Sequence, residues 1–221
     1  MSAIQHAVIA AAGFGSRLNR GIPKCLVDVD GHKIIEYQLA LLQDVPDVRI
    51  VVGYHADKVR QFVTPLRPGV TFIANDQFAS TSTLQSYYMG CHDIHDFFIL
   101  LDGDIIPHRK SFADFLSRFS GETMIGISPM TTEDAVFVHT DSQSRILEFT
   151  RSRVSPWEWS NIAVLHSDFL DNEPTYVYQC IEKKLPVRAE TVERLEIDTQ
   201  ADLDYALDMM RRIGDYRFHS L

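Results

Sequence analysis

Glycines, a hydroxyl and two basic side chains lie close together near the start of the chain. An apolar run at residues 7–12 leads into them. Glycines let backbone N–H groups approach an anion, while Ser16 adds a hydroxyl donor, Arg17 a guanidinium fork and Lys24 a point charge. This combination predicts a polyphosphate site. Its residues are Ala11, Ala12, Gly13, Gly15, Ser16, Arg17 and Lys24.

Two common phosphate-binding patterns do not fit this segment. The P-loop requires Gly-Lys-Ser/Thr after the glycines, and the sequence here is different. The dinucleotide fingerprint requires a third glycine, and Leu18 stands at that position. A glycine pair alone is typical of an ordinary turn. The functional interpretation therefore depends on Arg17 and Lys24.

Three aspartates mark a second candidate site. Asp102 and Asp104 follow an apolar run at residues 97–101, and Asp198 stands just before a predicted helix. Ligands bind at the carboxyl ends of strands in open α/β sheets, and paired carboxylates suit Mg²⁺, which takes oxygen ligands and bridges phosphates. Two simpler interpretations stay open from the residues alone. Asp102 and Asp104 fit a polar turn, and Asp198 fits an acidic residue near a helix N-terminus.

Strands alternate with helices through the first half of the chain. Short apolar runs predict strands, and apolar residues at helical spacing predict helices. The predicted strands are 7–12, 49–53, 70–74 and 97–101, and the predicted helices are 33–43, 57–63 and 84–91. The second helix is expected to end before Pro65. This alternation predicts an α/β fold, with a twisted, mostly parallel sheet and helices on both faces.

The second half has a different pattern, which predicts a small antiparallel addition to the same domain. Its predicted elements are strands at 123–128, 135–139, 146–149, 161–166 and 187–189, and helices near 174–184 and 200–212. Thr199 is the expected N-cap of the last helix. Since neither a linker nor an internal repeat divides the sequence, we expect one domain over residues 1–221.

Composition limits the classes of protein that the chain can be. It has 221 residues, 45% of them apolar and 23% charged, close to globular averages. A formal net charge of −9 argues against nucleic acid or an anionic membrane as the main partner. Neither a membrane-spanning run nor a secretory signal is apparent, and three widely spaced cysteines indicate no disulfide framework. We therefore expect a cytoplasmic protein that binds no membrane.

The ordered motifs resemble those of nucleotidyltransferases that make nucleotide-activated sugars and alcohols. The resemblance begins with Ala-Ala-Gly-x-Gly-Ser-Arg and Pro-Lys-x-Leu-Val in residues 11–27. It continues at Gly31, 35–37, 51–54, 75–76, 102–104 and 196–199. Two departures are small: Ala10 replaces a frequent leucine, and Cys25 stands where proline or alanine is common.

This resemblance implies a Rossmann-like fold, a reaction and roles for individual residues. An acceptor phosphate would attack the α-phosphorus of a nucleoside triphosphate in line and release pyrophosphate, without needing a general base. Lys24 would stabilise charge at the α-phosphate, and Arg17 with the glycine loop would hold the β- and γ-phosphates. Asp104 and Asp198 match the two metal-binding aspartates of the family, which implies Mg²⁺. Asp102 would hold the ribose or a metal-bound water.

The nucleotide is expected to be CTP. Asn75, Ser82 and Thr83 lie where related enzymes contact the base, although Ser/Thr clusters are also common in loops and helix caps. Only five residues separate Arg17 from Pro23. This short loop, with the motifs at 35–37 and 75–76, resembles cytidylyltransferases for phosphocholine or inositol phosphate more than hexose-1-phosphate enzymes.

The acceptor site is expected around residues 151–161. Arg151 lies near a position where sugar-phosphate members carry a phosphate-binding lysine, and it can clamp the acceptor phosphate. Trp157 and Trp159 flank Glu158 and could cage a quaternary ammonium group, with Asn161 beside them. Core packing or a contact within a homodimer is the alternative role of the two tryptophans. The expected acceptor is a small phosphorylated alcohol, amine or sugar.

Three other functions compete with cytidylyl transfer. The first is a sugar-1-phosphate uridylyl- or guanylyltransferase. The second is a metal-dependent glycosyltransferase, against which the glycine loop and Lys24 argue, because its donor has no γ-phosphate. The third is a non-catalytic nucleotide-binding protein, against which the presence of Arg17, Lys24, Asp104 and Asp198 argues.

Overall fold

The computed structural model describes residues 4–15, 18, 21–131, 135–173 and 175–218. The strands are β1 (His6–Ala11), β2 (Asp28–Val29), β3 (His32–Lys33), β4 (Asp47–Val52), β5 (Thr71–Ala74), β6 (Phe97–Asp102), β7 (Ile105–Pro107), β8 (Met124–Pro129), β9 (Phe137–Thr140), β10 (Arg145–Thr150), β11 (Trp157–His166), β12 (Val187–Thr191) and β13 (Arg194–Glu196). The α-helices are α1 (Ile34–Leu41), α2 (Ala56–Leu66), α3 (Thr83–Gly90), α4 (Arg109–Ser117), α5 (Val177–Glu182) and α6 (Gln200–Arg212).

The apolar run near the N-terminus forms β1, the central strand of a parallel group. Strands β4 and β6 flank β1, and β5 lies beyond β4, all in parallel register. Because β1 is covered on both faces, its side chains form a continuous apolar run without polar alternation. The predicted parallel sheet is confirmed, and the carboxyl ends of β1 and β6 lie side by side.

The second half of the chain extends the same sheet. Nine strands join in the order β5-β4-β1-β6-β11-β8-β12-β10-β9. Strand β11 runs antiparallel to both β6 and β8, and it also pairs with β9. That last pairing closes β11, β8, β12, β10 and β9 into a ring. The predicted antiparallel addition therefore continues the sheet directly.

Helices cover both faces of the sheet, as predicted, and each face has its own apolar core. One core contains Ile35 of α1, Val63 of α2 and Phe112 of α4, packed on β1, β4 and β6. The core on the other face contains Tyr87 of α3 and Ile181 of α5. The α/β fold class with helices on both faces is confirmed.

A third apolar cluster connects α6 to the end of the sheet that carries the aspartates. It joins α6 to α1, to the β2–β3 hairpin and to the β7–β13 pair. The Thr199 side chain accepts a hydrogen bond from Asp202 N, which confirms the predicted N-cap. The cap fixes the start of α6 immediately after Asp198.

Several elements differ from the prediction. Helix α2 continues through Pro65 to Leu66, because a proline in the last turn removes only one backbone hydrogen bond before the helix ends. Strand β11 begins at Trp157 rather than at residue 161. Helix α4 and the two-stranded pairs β2–β3 and β7–β13 were not predicted. The short strands are too brief to show periodicity, whereas α4 carries apolar residues at helical spacing.

None of the helices in the described ranges has the length and hydropathy needed to cross a membrane.

The close approach of α3 to the sheet depends on Gly90. A Cβ atom there would lie 2.4 Å from Val8 Cγ1 and 3.1 Å from Val51 Cγ2. We expect Gly90→Ala to lower the free energy of unfolding by about 1–3 kcal/mol, because overpacking outweighs the gain in helix propensity. Urea unfolding measures the change.

Gly69→Ala is the matched control, since a Cβ atom there meets nothing within 4 Å. We expect this variant to be unchanged or up to about 1 kcal/mol more stable. Equal stability of the two variants would show that α3 can move away from the sheet without cost.

Candidate active site

A cleft of about 490 Å³ opens at the carboxyl ends of β1 and β6. Most of the predicted site residues line it: Ala11, Gly13, Gly15, Lys24, Ser82, Thr83, Asp102, Asp104, Arg151, Trp159, Asn161 and Asp198. Ala12, Asn75, Trp157 and Glu158 lie outside its lining. Ser16 and Arg17 lie outside the described residues. The topology thus brings together segments that are far apart in the sequence.

The glycine loop packs directly on the lysine that follows it. Gly15 has φ +60°, and a Cβ atom there would lie 2.6 Å from Lys24 Cγ. Glycine is therefore required both by the left-handed backbone and by the close contact. The Phe14 ring packs against Tyr54 and Phe78, with centroid distances of 5.2 and 4.9 Å. These ring contacts hold the loop at Phe14, while Lys24 lines the cleft.

Lys24 joins the two predicted metal ligands. Its Nζ donates to Asp104 Oδ2 at 2.8 Å and also to Asp198 Oδ1. All three side chains are about one-fifth exposed, at 19% for Lys24, 20% for Asp104 and 18% for Asp198. The two carboxylates are thus close enough to share one cation.

The donor set here fits a divalent cation. Asp104 Oδ1 is buried and has no hydrogen-bond partner among the described residues. The donors are carboxylate oxygens, which Mg²⁺ prefers, and Mg²⁺ is commonly held by one or two carboxylates together with substrate phosphates. A group of three or more metal-ligating side chains does not occur in the described part of the chain. A cation here would therefore depend on phosphate oxygens for its remaining ligands.

The turn between β6 and β7 is fixed by backbone and side-chain contacts. Gly103 N donates to Ala10 O at 2.9 Å, and a Cβ atom on Gly103 would lie 2.7 Å from the same oxygen. The buried Gln38 of α1 donates to Asp102 O at 2.7 Å and to Ile105 O at 2.9 Å. These bonds hold the carboxylates on the turn in place.

Asp102 lies two residues before Asp104 and lines the same cleft. Its Oδ1 accepts a hydrogen bond of 2.6 Å from the Tyr87 hydroxyl. Burial and the nearby Asp104 carboxylate raise the pKa of Asp102 well above its usual range. Burial and the adjacent Asp102 carboxylate likewise raise the pKa of Tyr87. Tyr87 therefore stays a hydrogen-bond donor that orients Asp102.

The segment predicted to read the base forms one wall of the cleft. Thr81, Ser82 and Thr83 line it, and Thr83 begins α3. Asn75 is 2% exposed and faces the protein, where its Nδ2 donates to Thr81 Oγ1 at 3.0 Å and to Ser86 Oγ at 3.2 Å. Asn75 therefore does not line the cleft, but its hydrogen bonds support this wall from inside the protein.

The far end of the cleft is lined by aromatic side chains and one arginine. The Arg151 guanidinium lies over the Tyr176 ring, 5.2 Å from its centroid. Tyr176 and Tyr178 are stacked at 5.6 Å, and both line the cleft with Trp159. The wall thus presents a positive charge on an aromatic surface.

The structure does not bring Trp157 and Glu158 to this wall. Successive strand residues point to opposite faces, so Glu158 points away from the face shared by Trp157 and Trp159. The Glu158 side chain is 1% exposed and pairs with Arg194 at 3.2 Å. Trp157 is half-buried and packs against the core that also contains Ile181 of α5. The predicted cage of these three residues is therefore not assembled in the cleft.

Several cleft residues were not predicted as site residues. They include Thr81, Tyr87, Gly103, Tyr176, Tyr178 and Glu196. Glu196 had a detectable signal, because it stands two residues before Asp198 and strand alternation places both on one face. Tyr176 and Tyr178 had none, since their role depends on where α5 packs.

A cleft at the carboxyl ends of parallel strands, with a glycine loop beside it, defines the class of nucleotide-binding α/β proteins. Within that class, the chain belongs to the family of MobA-like NTP transferase domains, because residues 7–179 match that family. The resemblance drawn from the motifs is confirmed at the level of the family. Asp198 and Glu196 lie beyond the matched range.

Two curated relatives are similar over part of their length. The choline-phosphate cytidylyltransferase of Streptococcus pneumoniae is 30% identical over 117 residues, covering 51% of this chain and 50% of that protein. The CTP:phosphoglutamine cytidylyltransferase of Campylobacter jejuni is 31% identical over 88 residues, covering 38% of this chain and 34% of that protein. The chain thus spans half or less of each relative in these matches.

One solved structure shows the same fold over almost the whole chain. It is the inositol-1-phosphate CTP transferase from T. maritima, with a TM-score of 0.80 and 18% sequence identity. The match covers 96% of this chain and 97% of that one. This structural similarity independently confirms the fold class.

The three cysteines are free and buried, and Cys25 lies against the cleft beside Lys24. Burial raises the pKa of Cys25 to about 12 and that of Cys91 to about 11, and it also raises the pKa of Cys180. At pH 8 the Cys25 thiolate fraction is then about 0.01%. We expect negligible reaction of the native protein with a thiol-specific disulfide reagent. In denaturant, all three thiols should react. Fast reaction of one native thiol would contradict this expectation.

Proposed function

We propose that the protein is a cytidylyltransferase, which transfers CMP from CTP to a small phosphorylated alcohol, amine or sugar and releases pyrophosphate. The observation that carries the proposal is the sharing of Lys24 between Asp104 and Asp198 beside a glycine loop. Within a family of NTP transferase domains, this arrangement supports phosphate binding next to a cation site. The activity is of the nucleotidyltransferase type, EC class 2.7.7.

In this reaction, an oxygen of the acceptor phosphate attacks the α-phosphorus of CTP. A new P–O bond forms as the bond to the β-phosphate oxygen breaks, and pyrophosphate carries away the electron pair. The acceptor phosphate is already ionised near neutral pH, so a general base is not required. Catalysis then rests on positioning and on stabilising the developing charge.

Each part of the cleft has a role in this scheme. The Lys24 ammonium would donate to oxygens of the α-phosphate, and the backbone of Gly13 and Gly15 would hold the β- and γ-phosphates. Arg17 is proposed for the same phosphates on its position in the sequence. Asp104 and Asp198 would hold Mg²⁺, which supplies positive charge at the α-phosphate. Asp102, oriented by Tyr87, would accept hydrogen bonds from the ribose or a metal-bound water.

CTP is proposed as the donor for two reasons. The two curated relatives named above are cytidylyltransferases by name. The wall of Thr81, Ser82 and Thr83 offers hydroxyl and backbone groups to the cleft at the start of α3. Small hydroxyl groups suit a pyrimidine, because they can hydrogen-bond its edge without filling the cleft.

The acceptor phosphate is proposed to bind at Arg151. This side chain lines the same cleft as Gly13, Gly15 and Lys24, and its guanidinium can hold two phosphate oxygens at once. Trp159 and Asn161 line the same cleft and would contact the rest of the acceptor. Phosphocholine stays among the candidate acceptors, with the Tyr178 and Trp159 rings as the apolar surface for its head group.

The function is tested by incubating purified protein with Mg²⁺, each of CTP, UTP, GTP and ATP, and a panel of acceptors. The panel contains phosphocholine, phosphoglutamine, inositol 1-phosphate and glucose 1-phosphate. Pyrophosphate release and the activated product are measured together. We expect release that requires CTP and one acceptor. A preference for UTP or GTP with the sugar phosphate would establish the alternative sugar-1-phosphate activity, and no acceptor-dependent release would contradict the proposal.

Substitution of Lys24 or Asp104 should separate turnover from folding. Lys24→Met and Asp104→Asn are each expected to lower turnover by about 10²–10³-fold, because each removes charge stabilisation at the α-phosphate. Lys24→Met also leaves the Asp104 and Asp198 carboxylates without their shared cation. We therefore expect Mg²⁺ to raise the Tm of Lys24→Met more than that of the wild type, and Asp104→Asn to lose this effect.

Lys110→Met is the matched control. Lys110 Nζ also donates to an aspartate, Asp114, at 2.8 Å, but on the exposed face of α4. This variant should keep wild-type turnover and the wild-type response to Mg²⁺. Normal turnover in a folded Lys24→Met protein would contradict the mechanism.

A further inference from the structure

Strand β11 carries two extra residues where it reaches the acceptor end of the cleft. Trp159 pairs with Ile127 and Ala163 with Ile125, so residues 160–162 face Gly126 alone. A Cβ atom on Gly126 would lie 2.4 Å from Ser160 Oγ, which explains the glycine opposite the bulge. Such bulges redirect side chains at functional sites. This one places Trp159 and Asn161 in the cleft lining.

The backbone of this bulge is held by one buried side chain from another strand. Arg194 Nε donates to Ser160 O at 2.6 Å, and its Nη2 lies 3.4 Å from Trp159 O. The same guanidinium pairs with Glu158 at 3.2 Å and Glu196 at 2.9 Å. The Arg194 side chain is 4% exposed, so these contacts form away from water.

The strand that carries Arg194 also leads to the proposed metal ligand. Strand alternation places Arg194 and Glu196 on one face, and Asp198 follows in the same direction. This strand is held independently, because β13 pairs with β7 and Ile197 N donates to Asp104 O at 3.0 Å. Loss of the guanidinium would therefore release the bulge on β11 more than it would shift Asp198.

We propose that Arg194 is a positioning residue, which sets the acceptor-side bulge at the correct distance from the Asp104–Asp198 pair. The inference rests on the proposed function, in which an acceptor phosphate must meet the α-phosphorus in line. Arginine is required because its planar fork reaches two carboxylates and two carbonyl oxygens at once, which a lysine ammonium does not. Misplacement of a reacting group by about 1 Å can lower the rate by about 10²-fold.

The direct test is Arg194→Lys, which keeps the buried positive charge but not the fork. We expect kcat/KM for the acceptor to fall by about 30-fold or more, mainly through the acceptor KM. Affinity for CTP without acceptor, measured by calorimetry, should stay within about threefold of the wild type because β13 keeps its backbone bonds. Arg188→Lys is the matched control.

Arg188 forms the same kind of pair on β12, a strand of the nine-stranded sheet. Its guanidinium contacts Glu190 two residues away and the Arg118 carbonyl oxygen, but it lies outside the cleft. Arg188→Lys should leave both the acceptor KM and the CTP affinity unchanged. A similar loss in both variants would show that any weakened Arg–Glu pair disturbs the protein, and would overturn the proposal.

A spectroscopic readout tests the bulge without requiring turnover. In a Trp157→Phe background, Trp159 is the remaining tryptophan. Adding Arg194→Lys should increase quenching of Trp159 by acrylamide in the fully folded protein, because the strand segment that holds the ring loosens. A residue important only for global stability would lower the Tm and leave native Trp159 quenching unchanged, which would overturn the proposal.

If Arg194→Lys does not fold, Glu158→Gln tests the positioning role of Arg194 instead. The amide keeps the size of the side chain and can still accept from Arg194, so a smaller change in acceptor KM and Trp159 quenching is expected. No change in either overturns the proposal, as does an equal loss of CTP and acceptor affinity. Failure of the wild type to transfer CMP would refute the proposed function, while Trp159 quenching would still decide the role of Arg194.

Discussion

The shared hydrogen bonding of one ammonium to two carboxylates is the interaction on which the cleft depends. Asp104 and Asp198 are both largely buried, and both carboxylates contact the same ammonium group. Two carboxylates this close to one another repel each other unless a cation lies between them. Lys24 supplies that charge from a third segment. The neighbouring structure is arranged around this contact: Gly15 leaves room for the lysine stem, and Gln38 fixes the turn that carries Asp104.

Much of the proposed phosphate side of the cleft could be predicted from the sequence, because its signals are local. A buried strand followed by glycines, and an apolar run followed by two aspartates, each show where a strand ends. In parallel sheets those ends meet at one edge, so Lys24 and Asp104 could be placed together without coordinates. Asp198 needed the family resemblance, since an aspartate before a helix is common.

The proposed acceptor side of the cleft could be predicted only in part, because it depends on the strand register of β11. Arg151, Trp159 and Asn161 do line the cleft, but Glu158 points away, since β11 begins four residues earlier than its apolar pattern indicates. Tyr176 reaches the wall only through the packing of α5. The sequence predicted an aromatic cage that would bind a cation at this wall. In the structure the Arg151 guanidinium lies over the Tyr176 ring, so the wall carries a positive charge of its own.

The residues of the cleft are widely separated in the sequence, which limits the order in which their contacts can form during synthesis. Lys24 and Asp198 are 174 positions apart, so most of the chain must leave the ribosome before they can meet. The β1–β4–β6 group can pair much earlier, since all its strands lie within the first 102 residues. During synthesis, Asp104 is therefore available to Lys24 before Asp198 is. Because contacts of long sequence separation cost more loop-closure entropy, we expect the Lys24–Asp198 contact to form after the parallel strands have paired.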